Sequence, residues 1–332
     1  MTTHWNSATA WSDLLDPKKP ITIDLLSPSA VYDSPVAIVG LSNEYGPGLF
    51  QSSPFFMDRF TESAVKGAGG SGGGKPPGGG DSGLLTTYTS GAATVLDTNE
   101  FNIKINFGGS WTASQQAIVK WAADTWSDII TGDISDVLFN GDMVDDIAIS
   151  VSTGRIDGNG SPLFGNVLAQ TGNIWVRDDP NNDYYLPVTA SIKLDSTDLK
   201  NSTFADAWDD IILHEMGHAL GFIGPIFKEL GLVDSSSNFI GPEAVAAYGG
   251  LVPLEGDGGS GTAGSHWDED TFAPSGFVDG MPNELMTGYI GLHEQTYLSD
   301  TTVGALADLG YTVQDPSSGS SYLTVNSGIQ LV

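Results

Sequence analysis

The sequence predicts an α+β fold: a twisted mixed sheet, one buried helix beside a cleft, and an irregular C-terminal part. Three observations predict it. Short alternations of apolar and polar residues recur between residues 101 and 194, the period-2 mark of half-buried strands. Two stretches with apolar residues at helical spacing interrupt them. Beyond residue 221 the chain is rich in glycine and mostly without periodicity.

Taken in order, the first boundary is the segment 67–83, GAGGSGGGKPPGGGDSG, in which ten of seventeen residues are glycine. Such a segment cannot repay the entropy of ordering and reads as a flexible linker. It separates an accessory or pro-like part, residues 1–66, from a long domain at 84–315 and a Ser/Gly-rich tail at 316–332. Phe101, Ile103, Ile105 and Phe107 alternate as a strand. Thr112 and Gln115 fit a capping box, and Ile118, Trp121, Ala122 and Ile129 follow at helical spacing. Ile147, Ile149 and Val151 make a second strand. Val167-Leu-Ala and Ile174-Trp-Val read as two short strands around a glycine turn, and Ile192 with Leu194 as another. A helix is expected over 204–220, with Asp206, Asp209 and Asp210 in its first turns, where the macrodipole favours anions. Gly221, Gly224 and Pro225 are read as its end. A short helical run is expected at 244–248, and a last helix opened by Ser299 and closed by Gly310.

Composition excludes several functions. The 332 residues carry 12 Lys+Arg against 41 Asp+Glu, a net charge of −29. Twelve scattered cations cannot neutralise a phosphate backbone, so no nucleic-acid partner is expected. With no cysteine, neither a disulfide framework nor a thiolate metal site is possible. A core is affordable at 40% hydrophobic residues, and the strong charge favours a monomer. The first residues lack a basic region followed by an apolar run, so no Sec leader is expected, and no stretch is long and apolar enough to span a bilayer.

One segment carries chemistry: His214-Glu215-Met216-Gly217-His218. Residues i and i+4 of a helix lie on one face, so two imidazoles can share one metal while Glu215 points beside it. Zn2+ lowers the pKa of its water to about 7, and the carboxylate takes the proton. Zinc in a catalytic site takes three protein ligands. His4, His266 and His293 remain to supply the third.

HEMGHALGF resembles the metzincin signature, with Gly221 as the glycine that turns the chain after the helix. Gly224 stands where most metzincins have the third histidine. The leishmanolysin subgroup, of which this looks like a bacterial-type member, instead has a long insertion before that histidine, then a Met-turn. Gly264-Ser-His266-Trp-Asp-Glu and Asn283-Glu-Leu-Met286-Thr-Gly look like those parts. The resemblance spans residues 101–311 and implies a metzincin-like catalytic domain with an upper subdomain, 84–220, and a lower one, 221–315. It implies a zinc cleft, His266 as third ligand and Met286 as an apolar floor. Val167, Leu168 and Ala169 would lie on an edge strand that binds a peptide substrate, and Tyr289 is an oxyanion candidate. Asp268 as a replacement ligand and Glu243 as a glutamate ligand are the alternatives.

The resulting expectation is a zinc endopeptidase acting on proteins or peptides through a zinc-bound water activated by Glu215. The competing reading is a catalytically silent binding or structural protein on the same fold. Loop oxygens near Asp157 and near Asp179 and Asp183 could hold Ca2+, although neither fits the EF-hand pattern. Secretion from a bacterium without a Sec leader is expected from the resemblance and the acidic, cysteine-free composition.

Overall fold

The computed structural model describes residues 83–91, 100–156, 167–177, 185–201, 204–256, 262–269, 283–288, 296–314, 322–324 and 327. The 1–66 part, nearly all of the linker and the two loops considered for Ca2+ lie outside the described residues.

The elements in chain order are β1 (Thr87–Thr89), β2 (Ile103–Gly108), α1 (Ala113–Ile129), β3 (Val137–Phe139), β4 (Asp142–Val144), β5 (Ile147–Gly154), β6 (Ala169–Val176) and β7 (Pro187–Asp195). Then come α2 (Trp208–Ala219), α3 (Gly224–Glu229), β8 (Asn238–Phe239), α4 (Pro242–Tyr248), β9 (Val252–Pro253), β10 (Tyr297–Ser299), α5 (Asp300–Leu309) and β11 (Tyr322–Thr324). Five strands form one sheet in the order β1-β2-β5-β7-β6. The pairs β2·β5 and β5·β7 are parallel, while β1·β2 and β6·β7 are antiparallel. The expected mixed sheet with few helices is therefore present.

The alternating residues predict the buried face. Ile103, Ile105, Ile147, Ile149, Val151, Ile192 and Leu194 are all buried against the helices. Thr112 caps α1 with the expected box, its hydroxyl accepting from Gln115 N and the Gln115 side chain answering Thr112 N. Trp126 of α1 donates from Nε1 to Leu213 O at 2.9 Å, which ties α1 to α2 one residue before His214.

Three expectations are corrected. β6 is one strand, not two around a turn. Gly172 stays in the ladder opposite Ser191, and the irregularity falls on Asn173, whose φ of 50° and bond from Nδ2 to Ser191 Oγ make a bulge. The helix expected from 204 begins at Trp208, because residues 204–207 are taken up by short-range turn bonds such as Ala207 N to Phe204 O. Pro225 does not stop a helix but starts one, sitting in the first turn of α3, where its missing N–H costs nothing. Residues 221–256 accordingly hold α3 and two short strands besides the expected short helix, which spans Pro242–Tyr248.

The far end of β6 is held by Arg177, 3% exposed. Its guanidinium donates to Ser135 O, Asp145 O and Asp146 O on the flanks of the β3·β4 hairpin, and to Pro187 O on β7. One charged fork thus supplies four carbonyls, of which those of Asp146 and Pro187 are bonded in buried surroundings. Replacing it by an apolar chain of similar length orphans them, and each orphan costs about 1–3 kcal/mol. Arg177→Met should lower the unfolding free energy by about 3 kcal/mol or more. Urea denaturation would measure this, and a change below about 1 kcal/mol would contradict the anchoring role.

Candidate metal centre

The chain reaches the site through α2, which is buried along nearly its whole length. His214 and His218 lie one turn apart on it and are 7% and 0% exposed. Its end is a Schellman turn: Gly221 adopts φ 98°, Gly221 N donates to His218 O at 3.0 Å and Phe222 N to Gly217 O at 3.2 Å. The positive φ requires glycine here, and the turn frees the chain to lead into α3.

His266, 1% exposed, arrives from a separate segment 48 residues later. That segment is threaded between two others. Glu255 N donates to His266 O at 2.9 Å and Trp267 N to Met286 O at 3.0 Å. Below it Phe222, Phe227, Phe239 and Trp267 pack edge to face, with centroids 4.9–5.5 Å apart.

Each imidazole is fixed by a main-chain carbonyl at Nδ1. His214 meets Leu285 O at 2.6 Å, His218 meets Phe222 O at 2.7 Å and His266 meets Thr262 O at 2.9 Å. A carbonyl only accepts, so each Nδ1 carries the hydrogen and each Nε2 keeps a bare lone pair. The three Nε2 atoms stand 2.9, 3.1 and 3.2 Å from one another. None has a proton to share, so these are not hydrogen bonds. Three buried lone pairs facing one point repel unless a cation lies between them. A tetrahedral ion with bonds of about 2.0–2.1 Å places its nitrogen ligands about 3.3 Å apart, close to the spacing found. The donor set therefore fits zinc.

Electrostatics agree. Burial lowers His214 to about 4, and burial followed by the nearby His214 lowers His266 to about 3. His218 falls well below the usual range through burial and then its two imidazole neighbours. All three are neutral at neutral pH, the form a metal takes. Glu215, 3% exposed, is raised to about 8 by burial, against the bond from Thr171 Oγ1 to its Oε2 at 2.5 Å.

Met286 is fully buried beneath α2. A Cβ at Gly217 would meet its Sδ at 2.7 Å and Cε at 3.0 Å, so the glycine between the two α2 histidines is what lets the sulfur sit there. Its loop is buckled by Glu284, whose buried carboxylate accepts from Met286 N at 2.6 Å, Ser299 Oγ at 2.8 Å and Thr302 Oγ1 at 2.5 Å. The last two belong to the N-terminus of α5, where a negative charge is favoured.

Of the expected site residues, His214, His218 and His266 are brought together, Met286 lies against Gly217 between the two α2 histidines, and Glu215 is buried on the same helix. His4, Tyr289 and His293 lie outside the described residues. Glu243 is exposed in the first turn of α4, and neither it nor Asp268 joins the three-histidine group. On β6, Ala169 opens the strand, whereas Leu168 spends its carbonyl on Asp195 N at 2.8 Å. Val167 is buried just before it.

Sequence reasoning missed Thr171, Glu284 and Ser265. It noted Gly224 as part of the helix end and as a departure from the usual third-histidine position. The structure supplies the reason for that glycine: a Cβ there would meet Gly264 O at 2.6 Å, and Gly224 N donates to Ser265 Oγ at 3.0 Å. The turn carrying His266 docks on the bare backbone that stands in place of a histidine.

A match to the leishmanolysin family model covers residues 162–320. A leishmanolysin homolog of Crithidia fasciculata is 30% identical over 132 residues, covering 33% of this chain and 18% of that protein. The chain thus spans less than a fifth of the length of that relative. The matched region contains both α2 histidines, His266 and Met286, and the chain is leishmanolysin-like over it. That family consists of zinc-dependent metalloproteases.

Two outcomes follow from this geometry. Gly224→Ala should displace the His266 turn and weaken zinc binding roughly tenfold to hundredfold, the usual cost of losing an outer support. Competition with a chelating dye would measure it, and unchanged affinity would refute the docking account. In metal-free protein the imidazole contribution to stability should be fully present above about pH 6.5 and be lost as pH falls toward 4, because the unfolded chain takes up protons that the buried imidazoles refuse. Thermal melts across that range should show a shallower slope in His266→Asn.

Proposed function

We propose that this leishmanolysin-like chain is a zinc-dependent endopeptidase that hydrolyses peptide bonds of proteins. The observation that carries the reading is the convergence of three bare Nε2 atoms, two of them from the helix that also carries the buried Glu215. Zinc bound there would supply a Lewis acid that acidifies water and polarises a carbonyl.

The residues of the chain have distinct tasks. His214, His218 and His266 hold the ion as neutral ligands. Glu215 takes the proton from the attacking water and returns it to the leaving amine. Burial suits it to this exchange, since its pKa near 8 lies close to a working pH. Met286 closes the floor under the imidazoles and keeps water from behind them. An extended substrate would lie along β6, the last strand of the sheet. The bond from Asp195 N to Leu168 O sets the ladder so that Ala169 and Thr171 turn their main-chain groups away from β7, toward the outer side of the last strand among the described residues. A peptide pairing there gains affinity from main-chain bonds.

No helix among the described residues is long and apolar enough to cross a membrane. The leishmanolysin likeness, with the acidic, cysteine-free composition, supports an extracellular site of action on protein substrates.

The test is cleavage of a mixed peptide library by zinc-loaded protein. Glu215→Gln should lower kcat by about 10²–10⁴-fold while zinc content stays at the wild-type level. A chelator should abolish cleavage and added zinc restore it. Zinc-loaded wild type that cleaves nothing would instead support a binding or structural role.

A further inference from the structure

Thr171 lies on β6 with its side chain fully buried. Its hydroxyl stands 2.5 Å from Glu215 Oε2 and 2.9 Å from Glu215 O. Both acceptors belong to the same residue, so the hydroxyl relates the carboxylate to its own helix and fixes the side-chain rotamer. Among the described residues Thr171 supplies the hydrogen bond to that carboxylate. The other neighbours in sequence, Ile212, Leu213 and Met216, are apolar and buried, and offer the carboxylate nothing to hold it.

Thr171 also occupies a particular place in the ladder. Its partner is Ile192, and this pair lies between hydrogen-bonded pairs, so the main-chain N–H and C=O of Thr171 turn away from β7. The residue as a whole is 0% exposed, so its hydroxyl meets Glu215 inside the protein, away from solvent.

We propose that Thr171 is a positioning residue that holds the Glu215 carboxylate in its working rotamer. The proposal rests on the endopeptidase reading.

The experiment compares Thr171→Val, which keeps the branched shape and removes the hydroxyl, with Thr171→Ser, which keeps the hydroxyl. In Thr171→Val kcat should fall roughly tenfold to hundredfold with KM within about twofold, the scale of a misplaced catalytic group. Zinc content should be unchanged, and Thr171→Ser should restore most of the rate. A second readout needs no turnover. The 13C resonance of the Glu215 carboxyl, identified by its loss in Glu215→Gln, should move in Thr171→Val and return in Thr171→Ser. Wild-type kcat in Thr171→Val, an unmoved resonance, loss of zinc from Thr171→Val, or equal loss of rate in both variants would each overturn the proposal. Wild type that binds zinc and cleaves no peptide overturns the endopeptidase reading and this proposal with it. That case is told apart because the resonance still moves.

Discussion

The structure depends on keeping three imidazole lone pairs pointed at one place inside a dry interior. Histidine has two ring nitrogens, and either can carry the hydrogen. Leu285, Phe222 and Thr262 settle the choice by offering a carbonyl to each Nδ1. Those three carbonyls come from three different segments. The loop before β10, the turn after α2 and the turn before His266 must therefore all be in place before the donor set exists.

Much of the remaining architecture holds those three segments. Glu284 ties the first to the start of α5. The Schellman turn at Gly221 shapes the second, and Tyr311 Oη caps its approach by donating to Leu220 O at 3.0 Å. Gly224 and Ser265 seat the third. Glycine is needed at 217 and 224 for close approach, not for flexibility, because in both cases another atom occupies the space a Cβ would take. The cost of removing water from two carboxylates is met differently. Glu284 receives several donors, whereas Glu215 receives Thr171. Burial raises the pKa of both, and the donors around Glu284 oppose that rise more than the single hydroxyl at Glu215.

The legible parts were local. Alternation located β2, β5 and β7 because each buries one face. Thr112 with Gln115, and Ser299 with Gly310, marked helix ends because capping is a contact between neighbours in sequence. The bulge at Asn173 was not legible, since a glycine beside it looks like a turn until β7 is there to keep the ladder running. Pro225 misled for a similar reason: proline both ends and begins helices, and only the chain direction after Gly221 decides which.

By itself the sequence determined the metal chemistry on α2, because the spacing of His214, Glu215 and His218 is a property of any helix. It also determined that no thiolate takes part. From spacing alone, the third histidine could have been His4, His266 or His293. The fold places His266 in the site, because a ligand 48 residues away is brought there by packing on Gly224 and pairing with Glu255 and Met286. Thr171 and Glu284 were likewise decided by tertiary structure alone. A hydroxyl on a strand and a carboxylate in a loop carry no local mark of their partners, which lie 44 residues away for Thr171 and up to 18 for Glu284. Local rules bind neighbours in sequence, and these contacts exist only after distant segments have been folded against one another.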